Sequence, residues 1–337
     1  MSEKTLQGIA TSMVAKSKGI LAADESTPTI KKRFDSIGAE STEENRRAYR
    51  ELILTAPGME HYISGVIMFD ETLRQSTLAG VTFPDLLNQK GVLAGIKVDQ
   101  GTELFGGSEV EKFTRGLEGL DDRLKEYYNL GARFAKWRAV YSIANDLPSD
   151  ICVQRNAKDL AEYAYLCQQI GLVPIVEPEV LMDGAHDIEH CYEVTKNVLK
   201  AVFEKLVSRG VKLDGIVLKP NMVLSGQDFD GIDSPQTVAS MTVKCFNESV
   251  PAEVPGIVFL SGGQTEAQAC TNLNAMNVMG EHPWELSYSF GRALQHSALN
   301  TWLGKVENVE KAQEVFTRRA KLTSLARSGK YKSEMEV

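Results

Sequence analysis

Apolar residues in this 337-residue chain fall in short, near-continuous runs that end in polar or charged residues, and helical stretches lie between the runs. The runs are GILAADES from Gly19, SGVIMFDE from Ser64, VLAGIKVD from Val92 and RFAKWRAV from Arg133. LVPIVEPEV from Leu172, GIVLKPNMV from Gly215, GIVFLSGG from Gly256 and LSYSFGRAL from Leu286 complete the set. Such runs suit parallel strands buried on both faces. Residues 160–170 and 190–206 repeat their apolar positions at helical spacing, and Ser41-Thr42-Glu43-Glu44 reads as a capping box ahead of Tyr49, Leu52 and Ile53. Eight alternations of strand and helix predict an α/β fold, a closed (β/α)8 TIM barrel. The rival doubly wound sheet would carry a glycine-rich dinucleotide turn after its first strand, where this chain reads ADESTPT. The expected layout is one domain over residues 1–337. An amphipathic helix with Leu6, Ile9, Ala10, Met13 and Val14 on one side fills 1–17, and the barrel fills 18–305. A helix over 307–327, followed by a short mobile tail, fills 306–337.

Composition narrows the class. Hydrophobic residues at 43% and charged residues at 24% suit a chain with a sizeable core, and no low-complexity linker divides it. A net charge of −8 offers no general attraction to nucleic acid or acidic membranes, although it leaves room for a local basic pocket. The cysteines Cys152, Cys167, Cys191, Cys245 and Cys270 are odd in number and never spaced as C-x-x-C, so they are expected as buried small hydrophobes in a reducing compartment. With no signal-peptide core and no apolar stretch near the ~20 residues a bilayer demands, a soluble cytoplasmic protein is expected.

In a barrel, chemistry gathers at the carboxyl ends of the strands. Asp24, Glu25 and Ser26 end the first run, Lys97 and Asp99 the third, Lys136 and Arg138 the fourth, Glu177 and Glu179 the fifth, and Lys219 the sixth. Spacing of two residues puts Lys136 and Arg138 on one face of their strand, and Glu177 and Glu179 on one face of theirs. So many charges inside apolar runs are costly to bury without a purpose. Lys219 interrupts GIVL and precedes a proline. An amine attacks only when unprotonated, and desolvation and nearby cations such as Lys136 favour the neutral form. A Schiff base with a carbonyl substrate is one reading of Lys219; a structural ion pair to Glu177 or Glu179 is the other. Ser261-Gly262-Gly263 and Gly291-Arg292, after the seventh and eighth runs, suit a phosphate held by backbone N–H groups. With Lys31-Lys32-Arg33 after the first run, they suggest a substrate carrying a phosphate at each end. His186-Asp-Ile-Glu189-His190 fits a short zinc pattern, but it lacks a third ligand and reads better as a solvated helix start.

GILAADEST, STEENRR, GIKVD, FAKWR, VPIVEPE, VLKPNMV, FLSGGQ and GRALQ, in this order from Gly19 to about Leu294, together resemble class I fructose-1,6-bisphosphate aldolase. The resemblance implies reversible, metal- and cofactor-free cleavage of a sugar bisphosphate through a lysine Schiff base, and it implies a homotetramer. It makes Lys219 the Schiff-base lysine, Glu177 the acid/base with Glu179 beside it, Lys136 the tuning cation, and Asp24 the carboxylate at the C4 hydroxyl. Ser261, Gly262, Gly291 and Arg292 match the C1-phosphate site, with Gly263 and Ser289 in the same loops. Ser26, Thr29, Lys32, Arg33 and Lys97 line the approach of the other, and Arg138 lines the sugar. Three features depart from the family pattern. Pro28-Thr29 stands for Gly-Ser, Phe290 stands for a tyrosine, and Tyr331 is not the terminal tyrosine of longer tails, so it is given no role. Rival readings are a catalytically idle binding scaffold and a Schiff-base enzyme acting on a related one-phosphate sugar.

Overall fold

The computed structural model describes residues 5–144 and 146–336. Eight parallel strands form the centre: β1 (Gly19–Ala23), β2 (Ile63–Met68), β3 (Leu93–Lys97), β4 (Phe134–Tyr141), β5 (Val173–Val180), β6 (Val217–Leu218), β7 (Gly256–Phe259) and β8 (Glu285–Phe290). Each pairs with its neighbours in sequence, and β1 closes the ring against β8, with Ile20 beside Ser289 and Leu21 beside Phe290. The runs are apolar throughout because one face fills the barrel and the other packs under helices. All eight residues of β5 are buried, and so are all six of β2.

Two features set the interior. Phe134 projects into the barrel where β2 and β3 carry Gly65 and Gly95. A Cβ on Gly95 would lie 2.2 Å from its ring, and one on Gly65 2.9 Å away. The amino-terminal helix, Leu6–Met13, is capped by Thr5 Oγ1, which accepts from the Gly8 N–H. Its Ile9, Ala10 and Met13, with Val14, pack onto the inward residues Ile20, Ile67, Phe134, Val173, Val217 and Val258. The expected surface helix is therefore a stopper in the bottom of the barrel, and the chemistry is confined to the top.

Several local expectations shift. The helix Glu43–Thr55 is capped by Thr42, whose hydroxyl accepts from Asn45 N–H at 3.1 Å, one residue later than the capping box predicts. Glu44 instead pairs with Arg47, while Tyr49, Leu52 and Ile53 are buried as expected. The helices Asp150–Ile170 and Ile188–Arg209 contain the predicted periodic stretches and extend beyond them. Regular pairing in β6 stops at Leu218, because Pro220 has no N–H to continue the ladder; Lys219 N–H still donates to Val176 O at 2.8 Å. An antiparallel pair, Thr102–Leu104 with Lys112–Thr114, follows β3 and has no counterpart in the sequence reading. Pro28, one of the departures from the family pattern, sits in the first turn of the helix Thr27–Asp35, where its missing N–H costs nothing.

The tail is seated rather than mobile. Beyond the helix Val309–Arg327, Tyr331 is 5% exposed, its N–H donates to Asn274 Oδ1, and its hydroxyl donates to Glu336 Oε1. The Glu336 carboxylate also accepts from the nearly buried Arg319 at 2.6 Å. A tail that looks polar in sequence is held by one aromatic ring and one ion pair. All five cysteines are buried and free, and among the described residues no helix is long and apolar enough to cross a membrane.

Gly95→Ala pushes a methyl into the Phe134 ring and is expected to destabilise the fold by about 1–3 kcal/mol. Scanning calorimetry would register this as a lowered Tm, and Phe134→Leu in the same chain should recover part of the loss. An unchanged Tm for the single variant would show that the barrel interior yields more easily than its geometry implies.

Candidate active site

The upper mouth of the barrel is built from strand ends that stop at charged residues. β1 delivers Asp24 just past its end, β3 delivers Lys97 with Asp99 two residues on, and β4 and β5 bring Lys136, Arg138, Glu177 and Glu179 from within the strands. Lys219 follows β6 directly. Asn221, 2% exposed, stitches this corner: its Oδ1 accepts from Val180 N–H, and its Nδ2 donates to Thr195 Oγ1 and Met222 O.

Register explains the pairing. Lys97 lies beside Lys136 across β3 and β4, a like-charge neighbour that would be unfavourable alone. Asp99 lies 3.0 Å from Lys97 Nζ and 3.8 Å from Lys136 Nζ, and so neutralises the contact. Lys136 Nζ is 2.7 Å from Asp24 Oδ2 and 3.3 Å from Glu177 Oε2, and Glu177 Oε1 is 3.1 Å from Lys219 Nζ. Arg138 pairs with Glu179 next to them. The deep cluster thus holds four cations (Lys97, Lys136, Arg138, Lys219) and four carboxylates (Asp24, Asp99, Glu177, Glu179). Lys136 was expected near Lys219; Glu177 lies between the two amines and contacts both. The structural ion pair and the reactive amine, posed as alternatives for Lys219, coincide in this geometry.

Burial alone would push the Asp24 carboxyl up, but Lys136, Lys219 and Lys97 outweigh it and hold its pKa well below the ordinary 3.8. Burial likewise opposes the charge on Lys136, yet Asp24, Glu177 and Asp99 raise its pKa above the ordinary 10.5. The lowered acid contributes stability above 3.8 that is lost as pH falls through its folded value. The raised amine contributes below 10.5 and loses its contribution as pH rises through its own folded value. Both groups therefore stay ionised across the neutral range.

Around this cluster opens a cavity of about 860 Å³, and every one of the seventeen site residues chosen from sequence lines it. Ser261, Gly262 and Gly263 follow β7; Ser289 lies in β8, with Gly291 and Arg292 after it. Arg292 Nη2 donates to Gly262 O at 3.0 Å, tying the two loops together. Ser26 and Thr29 touch through their hydroxyls at 3.1 Å at the opposite rim, beside Lys32 and Arg33. Lys31 turns outward to Asp35, so only part of the basic triplet faces the cavity. Among the described residues, Ser289 Oγ and Glu177 Oε2 are buried oxygens without a hydrogen-bond partner, the latter lying off the bonding direction from Lys136.

Sequence reasoning left out the groups that hold these residues. Glu25 lies 8% exposed behind the rim; its Oε1 pairs with Arg33 and accepts from Gln295 Nε2 at 3.0 Å, and its Oε2 accepts from Arg50 Nη2 at 2.6 Å. The two arginines outweigh the cost of burying the Glu25 carboxylate and lower its pKa. Asp99 and Glu25 were visible at the strand ends; Arg50 and Gln295, on helices far apart in sequence, gave no such signal. Met182 and Gln227, also lining the cavity, were missed because they carry no charge. The zinc-like pattern resolves into a helix start: Asp187 accepts from His190 N–H at 2.8 Å, and His190 Nε2 is 3.2 Å from Ala144 O.

Comparison with known proteins identifies the family. The family model for class-I fructose-bisphosphate aldolase matches residues 5–337. A Xanthomonas axonopodis pv. citri protein named probable fructose-bisphosphate aldolase class 1 is 53% identical over 98% of this chain and 100% of its own length. Fructose-bisphosphate aldolase 4, cytosolic, of Arabidopsis thaliana is 54% identical over 95% of this chain and 82% of its own. The Plasmodium falciparum fructose-bisphosphate aldolase, solved with TRAP and a small-molecule inhibitor, superposes with a TM-score of 0.96 at 52% identity, covering 97% of this chain and 95% of that one. Family match, full-length identity and barrel agree: the chain belongs to the class-I fructose-bisphosphate aldolases.

Proposed function

We propose that this chain reversibly cleaves fructose 1,6-bisphosphate into dihydroxyacetone phosphate and glyceraldehyde 3-phosphate, with Lys219 as the Schiff-base residue. The supporting observation is the chain of contacts from Lys219 through Glu177 to Lys136 at the floor of a cavity with cations on two sides. Glu177, 3.1 Å from Lys219, is placed to take the ammonium proton, freeing the amine to attack the ketose carbonyl. The same carboxyl then returns the proton to the carbinolamine hydroxyl, which leaves as water. The resulting iminium withdraws electrons, so the C3–C4 bond breaks as a base removes the proton of the C4 hydroxyl. Asp24, held ionised by Lys136, has that role in this reading. Lys136 stays positive and offsets whichever carboxylate is charged at each step. Glu179 keeps Arg138 in place along the sugar.

For the phosphates, Ser261, Gly262, Gly263, Ser289, Gly291 and Arg292 serve one end; Ser26, Thr29, Lys32, Arg33 and Lys97 serve the other. A scaffold without catalysis would have no need of eight charges clustered in the barrel mouth, five of them buried, which apolar residues would replace at no loss of stability. A cytoplasmic location and a homotetramer complete the proposal. The first is supported by the cytosolic Arabidopsis relative and the second by the family resemblance; sedimentation equilibrium should give four times the 37.1 kDa chain mass, and a monomer mass would reject it.

Borohydride added with dihydroxyacetone phosphate should leave one reduced adduct, and peptide mass spectrometry should place it on Lys219. Lys219→Met should abolish both adduct and cleavage while circular dichroism stays unchanged. An adduct on another lysine would falsify the assignment.

Arg33→Ala and Arg292→Ala each delete a cation remote from the breaking bond. Each is expected to raise KM by roughly tenfold or more, since a charged hydrogen bond contributes about 1.5–3 kcal/mol. A steady-state assay that found kcat reduced and KM unmoved would place these residues in the bond-breaking step instead.

A further inference from the structure

The phosphate loop is covered by a side chain that the proposed mechanism does not use. Met182, two residues past β5, reaches over the loop after β7, and Gly263 N–H donates to its Sδ at 3.4 Å. The fit is close. Gly262 has φ +53°, and a Cβ there would stand 2.8 Å from the same sulfur. From the other loop, Gln227 packs on Gly263 so tightly that a Cβ would fall 2.0 Å from its Nε2. The backbone beneath is fixed, because Gln227 N–H donates to Met182 O, Gly226 N–H to His186 O, and Asp228 N–H to Gly184 O, at 2.8–3.0 Å. Only the thioether arm, with three rotatable bonds, is left to turn.

A thioether is a weak acceptor, whereas a phosphate oxygen is charged and accepts strongly. We propose that Met182 is a removable cover on the phosphate loop: its sulfur occupies the Gly263 N–H and yields it when phosphate enters, which makes Met182 a determinant of phosphate affinity and a point of oxidative control. This rests on the reading that loop 261–263 and Arg292 take a phosphate. Met182 lines the cavity and is partly exposed. A hydroperoxide there transfers one oxygen atom to Sδ: the S–O bond forms as the O–O bond breaks, sulfur gives up two electrons, and hydrogen peroxide leaves as water. The sulfoxide oxygen is a far better acceptor than the sulfide, so it holds the Gly263 N–H against phosphate.

Inorganic phosphate, as a competitive inhibitor of cleavage by the full chain, reads the effect. Met182→Leu keeps the bulk and deletes the acceptor, and should lower the inhibition constant by about threefold. Met182→Gln, with an amide acceptor in its place, should raise it. Hydrogen peroxide should raise the constant by roughly fivefold in the unmodified chain, in step with sulfoxide on the peptide containing Met182, and leave Met182→Leu unmoved. Arg292→Ala separates the two levels of the argument. If it weakens phosphate binding while peroxide acts equally on the unmodified chain and Met182→Leu, the role of Met182 is overturned. If Arg292→Ala leaves phosphate inhibition unchanged, the phosphate site itself is misplaced.

Discussion

The mouth of this barrel depends on one buried ammonium. Lys136 touches Asp24, Glu177 and Asp99 and is 3% exposed, so it has almost no water to lean on. Its charge is held by three carboxylates, and theirs by it. Removing any one member strands the others in a medium where an unpaired charge is costly. The cluster therefore behaves as a unit: Asp24 stays ionised because Lys136 does, and Glu177 is left with one oxygen on Lys219 and the other near Lys136. A carboxyl so placed can carry a proton between an amine and a departing hydroxyl without moving far, which suits two successive proton transfers at one atom.

Near-neutral balance in the floor contrasts with the rim. Deep charges balance four against four, whereas among the described residues Lys32, Arg33 and Arg292 around the opening have Glu25 as their buried counter-charge, and Glu25 is shared with Arg50 behind them. Balance below permits proton transfer without bringing uncompensated charge into the barrel. Excess positive charge above attracts anionic ends and aligns what lies between them. This division follows from position: the deep charges sit within or just beyond the strand ends, side by side around the barrel, whereas Lys32, Arg33 and Arg292 stand on the helices that follow β1 and β8.

Most of the barrel could be read from the chain because its strands are continuous apolar runs that stop at charges. The candidate site could be read because those stops line one cavity. What escaped was non-local. The stopper role of the amino-terminal helix depends on Gly256 and Ser64 meeting Val14 and Met13 at the barrel floor, contacts between segments far apart in sequence. The tail read as mobile because KYKSEMEV is polar, but Tyr331 and Glu336 each find a partner on a preceding helix. Capping slipped by one residue at Ser41 because Thr42 is an equally good acceptor, and only backbone geometry selects between them. Glu25 was seen as a strand-end charge, but its function as an anchor needed Arg50 and Gln295 brought from other helices.

The two phosphate ends are not equivalent in charge. Arg33 is already paired with Glu25, which also holds Arg50, so a phosphate there meets a cation whose field is partly spent on a carboxylate. Arg292 donates instead to the neutral carbonyl of Gly262 and keeps its full charge, with the orphaned hydroxyl of Ser289 and backbone N–H groups nearby. At equal distance a guanidinium with no carboxylate partner among the described residues attracts a dianion more strongly, and its hydrogen bonds replace only a neutral one. Binding energy should therefore concentrate at the Arg292 end. In the proposed reaction that end belongs to the ketose half, which stays attached to Lys219 after the bond breaks, while the more weakly held half is the one that must leave first.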